Sequence, residues 1–252
     1  MFLGSYRKEI KYLKPYIITA IVVICLSYSV YLFFSDDFVT VLGDEDGLFE
    51  SGTAIFFVIA AVLFFLSFRR SKNIFLLGLV FVLIMGAGEE IDWGQRIFGF
   101  GTPASMEKVN VQHEFNIHNL EIFNDQDLHG VKKAGWHRLL EINILFRIFS
   151  MVFFIIIPLF FYYIKPRLIT DKKIRMPVVP VTIGIFFFIS WVIFFALKYY
   201  VLPRGKIMWY YLTAGEIFEF LAAFIYFLTA LYFYKRKDDA FLGKDIKQVL
   251  RY

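Results

Sequence analysis

Residues 74–96 read IFLLGLVFVLIMGAGEEIDWGQR: an uncharged run from Ile74 to Gly88 that meets two adjacent glutamates, Glu89 and Glu90. At about 1.5 Å per residue, the stretch from 74 to 93 approaches the ~30 Å of a bilayer's hydrocarbon core. An ionisable group at that depth costs about 2.5–3.5 kcal/mol or more, so it faces a protein interior or a water-filled cavity and marks a functional site by default. The stretch therefore points to an all-α membrane bundle and to the place where its chemistry sits.

The rest of the chain agrees with that reading. Hydrophobic residues make up 59% of the 252, with 33 Phe among them, against roughly 45–50% in an ordinary soluble domain. Apolar runs near residues 15–34, 48–68, 74–93, 139–164, 178–199 and 211–234 predict six spans in one integral membrane domain covering 1–252. Cys25, the single cysteine, lies in the first run and reads as a small packing residue. The basic residues Arg7, Lys8, Lys11 and Lys14 precede that run, and no small-residue cleavage site follows it, so the run reads as a retained anchor.

Charge sets the expected orientation. Eighteen Lys and Arg fall before the first span, in 69–73, in 165–175 and in 235–251, whereas eight fall in 35–47, 96–138 and 198–206. The positive-inside rule then places both termini in the cytoplasm. Topology thus accounts for the net charge of +5 without nucleic acid as a partner. Of the 22 acidic residues, seventeen lie on the opposite side, with all four histidines. The loop 97–138 is the one long extramembrane segment, and its apolar spacing (Val109, Val111, Phe115, Ile117, Leu120) favours an ordered element at the outer interface. The segment Lys235–Tyr252 reads as a basic tail on the inner leaflet.

Counting along each span places Glu50, Glu89, Glu90, Arg147, Glu216 and Glu219 at one level, roughly 24–29 Å above the inner boundary. Carboxylates in one layer require protonation, pairing with Arg147 or Arg96, or a bound cation. Helix N-termini explain Glu50, Glu216 and Glu219 through capping and the macrodipole; Glu89 and Glu90 close a helix, where the dipole disfavours anions. In the loop, Glu114 and His118 would share a helical face at i and i+4. A metal site built from Glu50, Glu89, His113, His118 and Glu216 would take a divalent transition metal such as zinc, manganese or iron. No H-E-x-x-H motif, nucleophile elbow, Walker loop or dinucleotide fingerprint occurs.

Glu89-Glu90-Ile91-Asp92-Trp93-Gly94-Gln95-Arg96, read with Asn110-Val111-Gln112, His118-Asn119-Leu120 and the acidic Glu45-Asp46-Gly47-Leu48-Phe49-Glu50, resembles a group of uncharacterised bacterial polytopic inner-membrane proteins. The resemblance covers residues 45–122 and implies a bacterial inner-membrane location, with no activity attached. Glu89, Glu90, Arg96 and His118 also resemble the glutamate, arginine and histidine set of the CAAX-prenyl-protease and bacteriocin-processing intramembrane proteases. Here Gly94 stands where that family has its arginine.

These readings converge on a membrane hydrolase or transferase acting on a lipid or lipid-linked substrate at the outer leaflet. Glu89, Glu90, Arg96 and His118 would be catalytic, and Trp93, Gln95, Asn119 and Arg147 would bind substrate. The alternatives are an assembly or sensing protein whose acidic network only fixes the helices and whose loop binds a protein partner, and a cation or proton transporter. Against transport, the far halves of the spans are almost wholly apolar.

Overall fold

A computed structural model describes residues 2–44, 47–161, 177–201 and 208–236, with side chains of 2–11, 96 and 208–211 left aside. The basic segments at 165–175 and 237–252, the Glu45-Asp46 pair and the Arg96 side chain lie outside the described residues, so the expected orientation has no structural counterpart here. The chain is all-α. Its principal helices are α1 (Phe2–Phe33), α2 (Asp36–Leu42), α3 (Leu48–Ser71), α4 (Ile74–Glu90), α5 (Ile142–Leu159), α6 (Val181–Val201) and α7 (Met208–Arg236).

Among the described residues five helical segments are long and apolar enough to cross a membrane: Tyr12–Phe33, Leu48–Ser71, Ile142–Leu159, Val181–Val201 and Leu212–Arg236. The sixth expected span is shorter than its hydropathy suggests. Helix α4 has 17 residues and stops at Glu90 rather than 93, because Asp92, Trp93 and Gly94 all adopt left-handed backbone (φ 46°, 52° and 83°). Three such residues in succession cannot continue a right-handed helix. Asp92 and Trp93 therefore do not extend the helical face of Glu89.

Local chemistry explains how α3 turns into α4. Arg69 and Arg70 occupy the last turn of α3, where cations suit the dipole. Lys72 then takes a left-handed cap conformation, and the Asn73 side chain accepts from the Phe75 amide at 3.0 Å to open α4. The two helices pack as an antiparallel hairpin, and α3 also packs along α7.

Helix α7 is the axis of the bundle. Of its apolar window 72% is buried, against 22–39% in the other four, and a helix apolar all round belongs inside. Lipid tails are as apolar as the side chains, so helix association relies on close packing. Phenylalanine supplies much of it: the Phe56 ring of α3 lies 5.2–5.5 Å from Phe220, Phe224 and Phe227 of α7. On the other flank, α5 opens into a π turn at Val152–Ile156. Gly184 of α6 lies so close to the Phe154 carbonyl there that any Cβ would collide with it.

Residues 91–141 form an excursion from one end of the bundle. It consists of turns, short helical turns at Gln95–Phe98, Ala104–Glu107 and Gly135–Leu140, and antiparallel bridges pairing Asn110 with Leu120 and Gln126 with Lys132. Glu114 and His118 thus do not share a helical face. The excursion has a polar core instead: Asp92, Asn110, Asn116 and Asn119 are all buried.

Candidate functional site

The α4 helix ends, α7 begins and α3 begins at the same end of the bundle as the excursion. Glu216 and Glu219, three residues apart, project from one face of α7. Glu90, the last residue of α4, meets them: one carboxylate oxygen from each of Glu90, Glu216 and Glu219 lies within 4.8 Å of the other two. All three side chains are half-buried. Glu50 and Glu89 lie within electrostatic range of Glu90, while Arg147, His118 and Lys198 act on Glu219. Of the groups that counting puts at one level, Glu90, Glu216 and Glu219 come together in space.

Three carboxylate oxygen donors converging from two helices match the hard-oxygen preference of Mg²⁺, Ca²⁺ or Mn²⁺ better than the softer, nitrogen-rich surroundings favoured by zinc. Of the ligand set expected from sequence, Glu216 belongs to this cluster. Glu89, His113 and His118 are placed differently, Glu50 lies within electrostatic range of Glu90, and Glu90 and Glu219 complete the group. The i, i+3 spacing of Glu216 and Glu219 was the signal for the second of these.

Glu89 points the other way. Successive helical residues are separated by about 100° around the axis, so Glu90 faces the bundle while Glu89 faces the excursion. Glu89 Oε1 accepts the Trp93 indole N–H at 2.7 Å. Its Oε2 accepts the backbone amides of Ile117 and His118 at 2.6 and 2.7 Å, with His118 Nδ1 at 3.4 Å. Four donors around one carboxylate leave little room for a metal. Burial alone would lower the pKa of the His118 imidazole. The Glu89 hydrogen bond and charge, reinforced by Glu219 and Asp92, outweigh burial and hold it above its ordinary 6.5. His113 stands apart, with a left-handed φ of 61° and Nδ1 3.1 Å from the Glu107 carbonyl.

No protein family, curated protein or solved structure matches this chain. The resemblance carried by segments within residues 45–122 accordingly rests on those residues alone.

Gln95 and Asn119, expected at a substrate, hold the excursion together. Gln95 Oε1 accepts the Phe115 amide at 2.6 Å and its Nε2 donates to Thr102 Oγ1 at 2.8 Å. Asn119 Nδ2 donates to Glu114 Oε2 at 2.9 Å and to Gln112 Oε1. Asn116 Nδ2 donates to both Asp92 Oδ1 (2.6 Å) and Glu114 Oε2 (2.9 Å). Thr102 and Asn116 escaped the sequence reading, and Glu114, expected to pair with His118, accepts from Asn116 and Asn119 instead; the signal for this network was the density of Asn in the loop. Trp93 serves the Glu89 clamp, and its ring lies over Gly88, where a Cβ would sit 2.9 Å from it.

Arg147 lies on the second turn of α5, beside the cluster. Its guanidinium carbon is 4.9 Å from the Phe194 centroid and 5.8 Å from that of Phe218. Lys198 Nζ, within the π turn Leu197–Val201, is 5.4 Å from the same Phe194 centroid.

Proposed function

We propose that this protein is a metal-dependent membrane enzyme, a hydrolase or transferase whose substrate is a lipid or lipid-linked molecule. The carrying observation is the convergence of Glu90, Glu216 and Glu219 from two helices. A divalent ion held there would polarise a substrate oxygen or lower the pKa of a bound water. The chain's own residues would do the rest. His118, whose protonated form Glu89 favours, would donate a proton to a leaving group. Glu89 acts through His118 and the loop backbone, a positioning role rather than that of a ligand. Arg147 and Lys198 supply positive charge next to the carboxylates. Membrane lipid reaches this end of the bundle past exposed apolar side chains such as Phe38, Leu48 and Tyr200.

The test is elemental analysis of protein purified in mild detergent, for the native chain and for Glu90→Gln and Glu219→Gln. About one divalent ion per chain in the native protein, lost in both variants while both still elute as folded species, supports the reading. Manganese-dependent release of head groups from a phospholipid panel would then identify the reaction. A folded native protein that takes up no divalent ion from Mn²⁺-, Mg²⁺- or Zn²⁺-containing buffer overturns it.

A further inference from the structure

Arg147 and Lys198 approach one aromatic ring from two helices. Both sit at cation–π distance from Phe194, 4.9 and 5.4 Å from its centroid, so their charges lie within about 10 Å of each other. Among the described residues neither comes within salt-bridge distance of a carboxylate. Lys132, an exposed residue of the excursion, adds a third positive charge within electrostatic range of Lys198, countered in part by Asp125.

Two cations held together inside a helix bundle repel and are costly to desolvate unless an anion joins them. Glu219 compensates both through space, from beyond salt-bridge distance. We propose that Arg147 and Lys198 form a receptor for a phosphoryl group, held between them and the Glu90/Glu216/Glu219 cluster.

A phosphate monoester fits this placement better than a carboxylate. Contacts to the guanidinium, the ammonium and a cation at the glutamates call for oxygens in three directions, and a carboxylate has two. Arginine offers a planar fork for two phosphate oxygens and lysine a point charge for another. Tyr199 and Tyr200 are exposed next to Lys198, as aromatic residues are at the headgroup level of a bilayer. The two cationic contacts stand without a metal; only the third contact rests on the proposed metal reading.

The test uses metal-stripped native protein in detergent and three probes: inorganic phosphate, dihexanoyl phosphatidic acid and dihexanoylglycerol. Binding of the phosphatidic acid, weakened roughly tenfold or more by Arg147→Gln and by Lys198→Gln, is the expected result. Arg147→Lys, which keeps the charge, guards against loss through misfolding and should retain part of the affinity. Tighter binding of the phosphatidic acid than of phosphate identifies a lipid head group as the source; equal binding identifies free phosphate. Failure of both phosphate probes, equal binding of dihexanoylglycerol, or indifference to both neutral variants overturns the inference.

A second measurement separates this proposal from the metal reading. Added Mn²⁺ should broaden the ³¹P resonance of the bound probe in native protein and not in Glu219→Gln. Phosphate binding without Mn²⁺ uptake leaves the receptor intact and removes the metal. Mn²⁺ uptake without phosphate binding does the reverse.

Discussion

Trp93 donates its indole N–H to Glu89 Oε1 at 2.7 Å although the helix carrying Glu89 has ended between them. The left-handed run at Asp92–Gly94 folds the chain back on itself, and the returning indole fixes one oxygen of Glu89. The other oxygen is then aimed at the Ile117 and His118 amides, 28 and 29 residues along the chain. One carboxylate thereby fastens the excursion to the bundle.

Glu89→Gln tests that role. A neutral amide keeps one accepting oxygen in place of two charged ones, and hydrogen bonds to charged groups contribute about 1.5–3 kcal/mol. Hydrogen exchange at Ile117 and His118 should accelerate by roughly ten- to hundredfold, while divalent-ion uptake by Glu90, Glu216 and Glu219 persists. Unchanged exchange at both amides would show that the clamp contributes nothing.

His118 makes stability depend on pH. Its pKa in the folded protein is raised: burial opposes the charged form, but Glu89, Glu219 and Asp92 favour it more strongly. A group with a raised folded pKa stabilises fully below its unfolded value and loses that contribution as pH rises through the folded one. The thermal midpoint should therefore fall as pH rises above about 6.5, and His118→Gln should flatten that slope. A His118→Gln variant with the native pH profile would assign the titration elsewhere.

The bundle and the level of its charges were legible because both follow from one-dimensional regularities. Apolar runs give spans, and counting at a fixed rise from Arg69, Asn73, Lys165 and Lys235 brings Glu50, Glu90, Arg147 and Glu216/Glu219 to one height. The division of labour between Glu89 and Glu90 was not legible. It depends on where α4 stops, and Ile91 keeps the run apolar beyond Glu90 while Asp92 and Trp93 adopt a left-handed backbone that is uncommon outside glycine. The loop was equally opaque, since its order comes from contacts such as Asp92–Asn116 and Gln95–Phe115 across 24 and 20 residues. No local periodicity encodes such pairs.

Gly88→Ala probes the same turn from beneath. The added methyl would lie 2.9 Å from the Trp93 ring, closer than packing allows, and overpacking costs typically about 1–3 kcal/mol. The indole has to tilt away, which breaks its bond to Glu89. We expect a lower thermal midpoint and an altered Trp93 emission, read as a difference spectrum against Trp93→Phe in both backgrounds. Gly78→Ala, where a Cβ meets nothing within 4 Å, should leave both observables unchanged. A Gly88→Ala protein as stable as native would mean the ring does not rest there.

Glu219→Gln should have opposite effects with and without metal. Three carboxylates with oxygens within 4.8 Å repel one another when ionised, although Arg147, Lys198 and His118 offset part of the repulsion. Neutralising one in the metal-free protein should relieve about 1 kcal/mol and raise the thermal midpoint by about 2–4 °C. With Mn²⁺ at a hundred times its dissociation constant, the native chain should gain about 2.7 kcal/mol by linkage, or about 5–10 °C, and the variant almost none. The two stability curves must then cross as metal is added. A purely structural network predicts something else, since a half-satisfied polar cluster is weakened by losing a member. In that case Glu219→Gln lies below native at every metal concentration, and no crossing occurs.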